Sequence, residues 1–147
     1  MSSSAEPIPD RARVAELLAF LPGFSAPGRD FFRHDKSIGP AEGEVSIWPH
    51  PTYDDDVVAF FMRIGVEPWV DPHYRSRRPE RLMGRPDLLA NAGYADVRAV
   101  LNYCARGERF CDGYWAEVLR QGVVQAALAR LDVLTSPRLD ATDLRAP

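Results

Sequence analysis

Gly28-Arg-Asp-Phe-Phe-Arg-His-Asp-Lys-Ser-Ile-Gly-Pro-Ala-Glu-Gly-Glu-Val-Ser-Ile-Trp48 is the stretch on which the fold class turns. Its second arm alternates. Val45 and Ile47 face one way while Glu44, Ser46 and Trp48 face the other, the period of two that marks a half-buried strand. Arg29 to His34 reads as a first short strand, and Ser37 to Gly43 between the arms carries Gly39, Pro40 and Gly43, the residues of a turn. The two arms predict a short antiparallel β-hairpin. With helical patterns on either side, the chain reads as an α+β domain: mainly helical, about four helices around that hairpin.

Upstream, Asp10 has the chemistry of an N-cap, and Val14, Leu17, Leu18 and Leu21 follow the i, i+3, i+4, i+7 spacing of an amphipathic helix that Pro22 and Gly23 should stop. Downstream, Asp54 to Ile64 predicts a second helix with Val57, Phe60, Phe61 and Ile64 inward. Thr52 or Asp54 would cap it, and Asp54, Asp55 and Asp56 lie in the first turn, where carboxylates meet the positive end of the helix dipole. Glu67 to Pro86 carries Pro68, Pro72, Pro79 and Pro86 and should be irregular, with one short helical turn at Glu80 to Met83. Asp96 to Arg106 predicts a third helix on Val97, Val100, Leu101 and Cys104. After a stretch from Asp112 to Arg120, Val123 to about Leu134 predicts the last, with Val124, Ala127, Leu128 and Leu131 inward. Residues 1–9 read as a flexible leader, 10–134 as a single globular domain, and 135–147 as a loose tail.

A chain of 147 residues with 46% apolar and 27% charged residues suits one globular domain. No apolar run approaches the roughly 20 residues of a membrane span, and residues 1–10 lack a signal-peptide core, so the expected compartment is the cytoplasm. Cys104 and Cys111 are too few for a disulfide framework or a four-cysteine zinc site and should be thiols there. A net charge of −3 argues against nucleic acid as a partner, although Lys36 is the only lysine among 18 basic residues and arginine suits bidentate anion recognition.

Chemistry-bearing residues gather in Arg106-Gly-Glu-Arg-Phe-Cys-Asp-Gly113. Arg106 and Arg109 could grip a carboxylate or phosphate. Structurally, they could equally meet the negative end of a helix dipole while Phe110 and Cys111 fill core and Asp112 caps the next helix. Cys111 as a nucleophile would need a base such as His34, His50 or His73, none of them near in sequence. Asp71-Pro-His73 and the Asp54–Asp56 run match no metal-ligand spacing. Arg75, Arg77, Arg78, Arg81 and Arg85 could hold phosphates with Tyr74 stacking on a base, or form a solvated loop paired with Asp71, Glu80 and Asp87. Trp48, Trp69, Trp115 and five tyrosines could line a pocket or serve as core. No phosphate-loop, dinucleotide or nucleophile-elbow motif is present in the sequence, which points to no cofactor and no metal.

The Arg-Phe-Cys-x-Gly run of residues 109–113, followed by Gly122-Val-Val-Gln-Ala-Ala-Leu-Ala-Arg-Leu131, resembles a bacterial family of domains of unknown function, family 6508. The likeness extends to the opening Leu17-Leu-Ala-Phe-Leu-Pro22 and covers about residues 14–131. Trp69-Val-Asp71 stands where the resemblance leads one to expect an Asp-Trp-like pair. It implies domain boundaries and no chemistry. The sequence therefore favours a non-catalytic binding or accessory module for a small anionic ligand or a protein partner, with Arg106, Arg109, Cys111, Asp112, His73 and Asp71 as candidate ligand-binding residues. The alternative is a small enzyme with a pocket of His, Cys, Asp and Arg.

Overall fold

Asp10 opens the first helix as its chemistry predicts: its side chain accepts a hydrogen bond from the Arg13 amide at 3.0 Å, satisfying a donor that has no partner within the helix. This helix, α1 (Arg11–Leu18), belongs to a computed structural model that describes residues 8–32 and 53–136. Pro22 does not end α1. It sits in the first turn of a separate short helix, α2 (Leu21–Phe24), where a proline loses no intrahelical bond. α3 (Asp55–Ile64), α4 (Pro86–Leu89), α5 (Tyr94–Gly107), α6 (Tyr114–Arg120) and α7 (Val123–Thr135) follow, with 3₁₀ turns at Tyr74–Arg77 and Pro79–Arg81. The second turn replaces the short helical turn expected at Glu80 to Met83.

The α+β expectation is corrected: among the described residues there is no strand, only an isolated antiparallel bridge between Phe32 and Tyr53. The backbone of the proposed first strand explains why. Phe31 has φ +73°, a left-handed conformation that cannot continue an extended run. Its ring is buried against Phe24, while the next residue, Phe32, stacks on Tyr53 at 5.2 Å. Consecutive aromatics that both pack on the domain break the alternation a strand needs. Arg29 turns back instead to bind Asp54 and Asp56 and the Gly23 carbonyl. That leaves the Asp54 side chain making no cap for α3. The second arm of the hairpin, Glu44 to Trp48, lies outside the described residues, as do Thr52, His34 and His50.

The core forms where the helical stripes meet. α5 and α7 pack together, and α1, α2, α4 and α6 pack on α7, while α3 and both 3₁₀ turns pack on α5. Val14 and Leu17 of α1, Val57, Phe60 and Ile64 of α3, Val97 and Val100 of α5, and Val124, Leu128 and Leu131 of α7 are all buried. The expected inward faces of α3, α5 and α7 are thus the observed ones, whereas in the first stripe Leu18 is only half-buried and Leu21, also half-buried, belongs to α2. An aromatic knot of Phe20, Phe24, Phe60 and Phe61, with edge-to-face centroid distances of 5.1–5.4 Å between Phe60 and its partners, seals α3 against α1 and α2.

Candidate functional site

The segment before the first 3₁₀ turn has no backbone ladder, so side chains of α5 hold it. Arg98 donates from Nε to the Trp69 carbonyl at 3.1 Å and from Nη2 to the Val70 carbonyl. Asn102, buried, donates to the Trp69 carbonyl and accepts from the Asp71 amide, both at 2.9 Å. A buried amide engaged through both ends satisfies carbonyl and N–H groups that burial would otherwise leave unpaired. This clamp lays the Tyr74–Arg77 turn along α5, with the Tyr74 ring edge-on to Tyr103 at 6.3 Å.

At the other end of α5 the helix unwinds into the Arg106–Gly113 run. The amides of Phe110 and Cys111 both donate to the Gly107 carbonyl, which closes a tight loop. Gly113 takes φ +87°, open to glycine without strain, and sends the chain into α6. Glu108 is the organiser. Its carboxylate accepts from the Gly113 amide at 3.0 Å, the Trp115 amide at 3.0 Å and the Tyr53 hydroxyl at 2.8 Å. The first two are orphan N–H groups at the start of α6, and the third ties the loop to Tyr53, two residues before α3. Trp115 adds a bond from its indole N–H to the Ala105 carbonyl and stacks on Phe61 at 4.6 Å.

Between the 3₁₀ turns and this loop lies a cleft of about 400 Å³, in the range of small-ligand sites. Its rings are Tyr74, Tyr103, Phe110 and Tyr114, and Arg75, Glu80 and Cys111 supply its remaining chemistry. Tyr103 and Tyr114 meet edge-on at 6.3 Å. The Arg75 guanidinium lies 5.7 Å from the Phe110 centroid and 5.8 Å from that of Tyr74, and its Nε donates to the Tyr74 hydroxyl at 3.2 Å. Burial, with a smaller push from neighbouring ionisable groups, raises the Tyr114 phenol above its ordinary value, so it stays protonated.

Of the expected site residues, Cys111 lines this cleft. Arg106, Arg109 and Asp112 share its loop and are exposed, outside the lining. His73 and Asp71 form a local turn, the His73 amide donating to the Asp71 carboxylate at 2.9 Å, also outside the lining. In the arginine-rich stretch, Arg77 and Arg81 pair with Asp96 and Arg85 with Asp87, whereas Arg75 has no ion pair among the described residues. Sequence reasoning passed over Glu108 and did not single out Arg75. A carboxylate within a run holding two glycines, just ahead of a helix start, was the available signal for the first. Among the described residues no group of His, Cys, Asp and Glu is placed to hold a metal ion.

The model of the family of unknown function DUF6508 matches residues 9–136. The chain belongs to that family. No curated protein and no solved structure matches it. In this DUF6508 member no helix among the described residues is long and apolar enough to cross a membrane.

The two thiols differ in kind. Cys104 is fully buried on α5, where desolvation pushes it up to about 12, while Cys111 is exposed at the cleft. Treating the native domain with iodoacetamide should label Cys111 and spare Cys104 until denaturant is added. Equal labelling of both in the native state, read by peptide mass, contradicts this placement.

Proposed function

We propose that this domain is a non-catalytic binding module whose cleft takes a small anionic ligand. The observation that carries the reading is the lining itself: four aromatic rings around one guanidinium that has no ion pair among the described residues. Phe110 is 73% exposed, more than any other large apolar side chain there, and it is held in that position by a closed loop rather than on a free end. An apolar ring presented to water beside a cleft is the chemistry of a contact surface. Tyr114, whose phenol burial keeps protonated, supplies a hydrogen bond and no base. A small enzyme built on Cys111 would need such a base, and His73 stands outside the lining. The reading places the module, residues 10–134, in the reducing cytoplasm, where both cysteines are thiols.

The test is a fragment screen followed by amide NMR. Small acidic aromatic fragments should perturb amides of residues 103–114, and Phe110→Ala should weaken them while leaving the spectrum of a folded protein. Perturbations that map elsewhere, or turnover of the fragments, contradict a binding module at this cleft.

A further inference from the structure

We propose that the ligand of this cleft is a flat aromatic carboxylic acid, its carboxylate on the Arg75 fork and its ring among Tyr103, Phe110 and Tyr114. This rests on the binding-module reading and names the chemical class that the module takes.

Charge decides the first half. Arg75 uses Nε on the Tyr74 hydroxyl, which leaves its two terminal nitrogens as a planar pair of donors. That pair matches the two oxygens of a carboxylate in the bidentate geometry that makes such contacts strong. A phosphate monoester brings nearly two negative charges. The lining offers one guanidinium, whose charge the Glu80 carboxylate already partly offsets, so a dianion is left with more uncompensated charge than a monoanion. A quaternary ammonium is the other guest that aromatic clefts accept, by cation–π attraction. Here the chain's own Arg75 already occupies that position over Tyr74 and Phe110, and a second cation would have to displace it.

Shape decides the second half. The rings of Tyr74, Tyr103 and Tyr114 stand in successive edge-to-face steps of 6.3 Å, which presents both faces and edges to the cleft. A planar ring meets these by the same offset and edge-on contacts, whereas a branched aliphatic acid meets only their area. The hydroxyls of Tyr103 and Tyr114 have no protein partner among the described residues. They can donate to oxygen substituents on the ring. At about 400 Å³ the space suits a molecule of one ring or two.

The experiment titrates the whole chain with 2-naphthoate, 2-naphthalenemethanol, inorganic phosphate and tetramethylammonium, read by calorimetry with amide NMR to locate each. Naphthoate should bind at the cleft, and the uncharged alcohol should bind there roughly tenfold more weakly, the loss expected for a charge-assisted hydrogen-bonded pair. Phosphate and tetramethylammonium should not bind. Arg75 is exposed, so Arg75→Gln should remain folded and bring naphthoate down to the affinity of the alcohol. Naphthoate binding that Arg75→Gln leaves unchanged overturns the aromatic-acid assignment. Tetramethylammonium or phosphate binding at the cleft as tightly as naphthoate overturns it too, while preserving the cleft as a binding site. Failure of all four probes to perturb residues 103–114 overturns both the assignment and the binding-module reading.

Discussion

Glu108→Ala is expected to destabilise the domain by about 3 kcal/mol and to lower its Tm by about 10 °C. The carboxylate takes three hydrogen bonds, from the Tyr53 hydroxyl and the amides of Gly113 and Trp115. Bonds to a charged acceptor contribute roughly 1.5–3 kcal/mol each, and partial exposure lets some freed donors find water, which brings the sum down. Glu108→Gln separates charge from geometry. Its carbonyl can still serve Tyr53 and Trp115, while its amide confronts the Gly113 N–H as donor against donor, so about half the loss should remain. The same contact has an alkaline signature. Burial, and then the bond to Glu108, hold the Tyr53 phenol above its ordinary value of 10.0. The folded chain therefore keeps a proton that the unfolded chain releases. Stability from this group is intact below about pH 10 and is lost as pH rises further, and Tyr53→Phe should flatten that limb. Tyr114 and Cys104, also shifted upward, add to the decline with the same sign. Urea midpoints measured across the alkaline range check both. A Glu108→Ala protein as stable as the parent removes the organising role assigned to this residue.

Gly107→Ala is expected to cost about 2 kcal/mol, although alanine at a helical position ordinarily gains up to about 1 kcal/mol over glycine. Gly107 is the last residue of α5, and the Tyr114 ring lies directly on it. A Cβ there would stand 2.2 Å from Cδ2 and 2.3 Å from Cε2 of that ring. Those atoms belong to a half-buried ring at the start of α6, not to a flexible tip, so the loop or the helix must move, and such overpacking costs roughly 1–3 kcal/mol. The sign is the test. In a Tyr114→Ala background the clash is gone, and Gly107→Ala should become neutral or stabilising. Equal losses in both backgrounds would show that Gly107 is needed for some reason other than the ring above it. Because Gly107 and Tyr114 both line the cleft, the single substitution should also weaken the ligand contacts described above.

The helices most legible in the sequence are those with a long 3.6-residue stripe. α3, α5 and α7 fall within two residues of their expected bounds, because Val57, Val97 and Leu128 mark faces that only burial explains. Elements shorter than two turns carry no such stripe. α2, α4 and α6 and the 3₁₀ turns follow from local turn chemistry and from docking on α5 and α7, which a one-dimensional pattern does not contain. The first arm of the expected hairpin is broken by the backbone at Phe31, whose left-handed φ is atypical of a bulky residue and leaves no trace in composition. The site divides in the same way. Arg-Phe-Cys-Asp-Gly was visible as a junction between helices, and its cysteine does line the cleft. Which arginine joins it was not visible. The left-handed residue Arg78 and the Asp96 pairings turn Arg77 and Arg81 away, and leave Arg75 against the rings. For Glu108 only half the arrangement had a local signature: its place ahead of α6 marks the two amides it accepts from, while the tyrosine 55 positions upstream leaves no mark in the sequence.

The packing of α1 on α7, fastened by Arg11 to Asp132 at 2.8 Å, bears on how the molecule is made. Val14 and Leu17 share one apolar cluster with Leu128 and Leu131. The partners of α1 therefore lie on the last of the described helices to be translated. At roughly 5–20 residues per second, α1 waits several seconds or more on the ribosome with its apolar face uncovered. No nascent fragment that lacks α7 can complete this core. Folding of the domain thus awaits the synthesis of α7, and the interval before it is when α1 is open to chaperones.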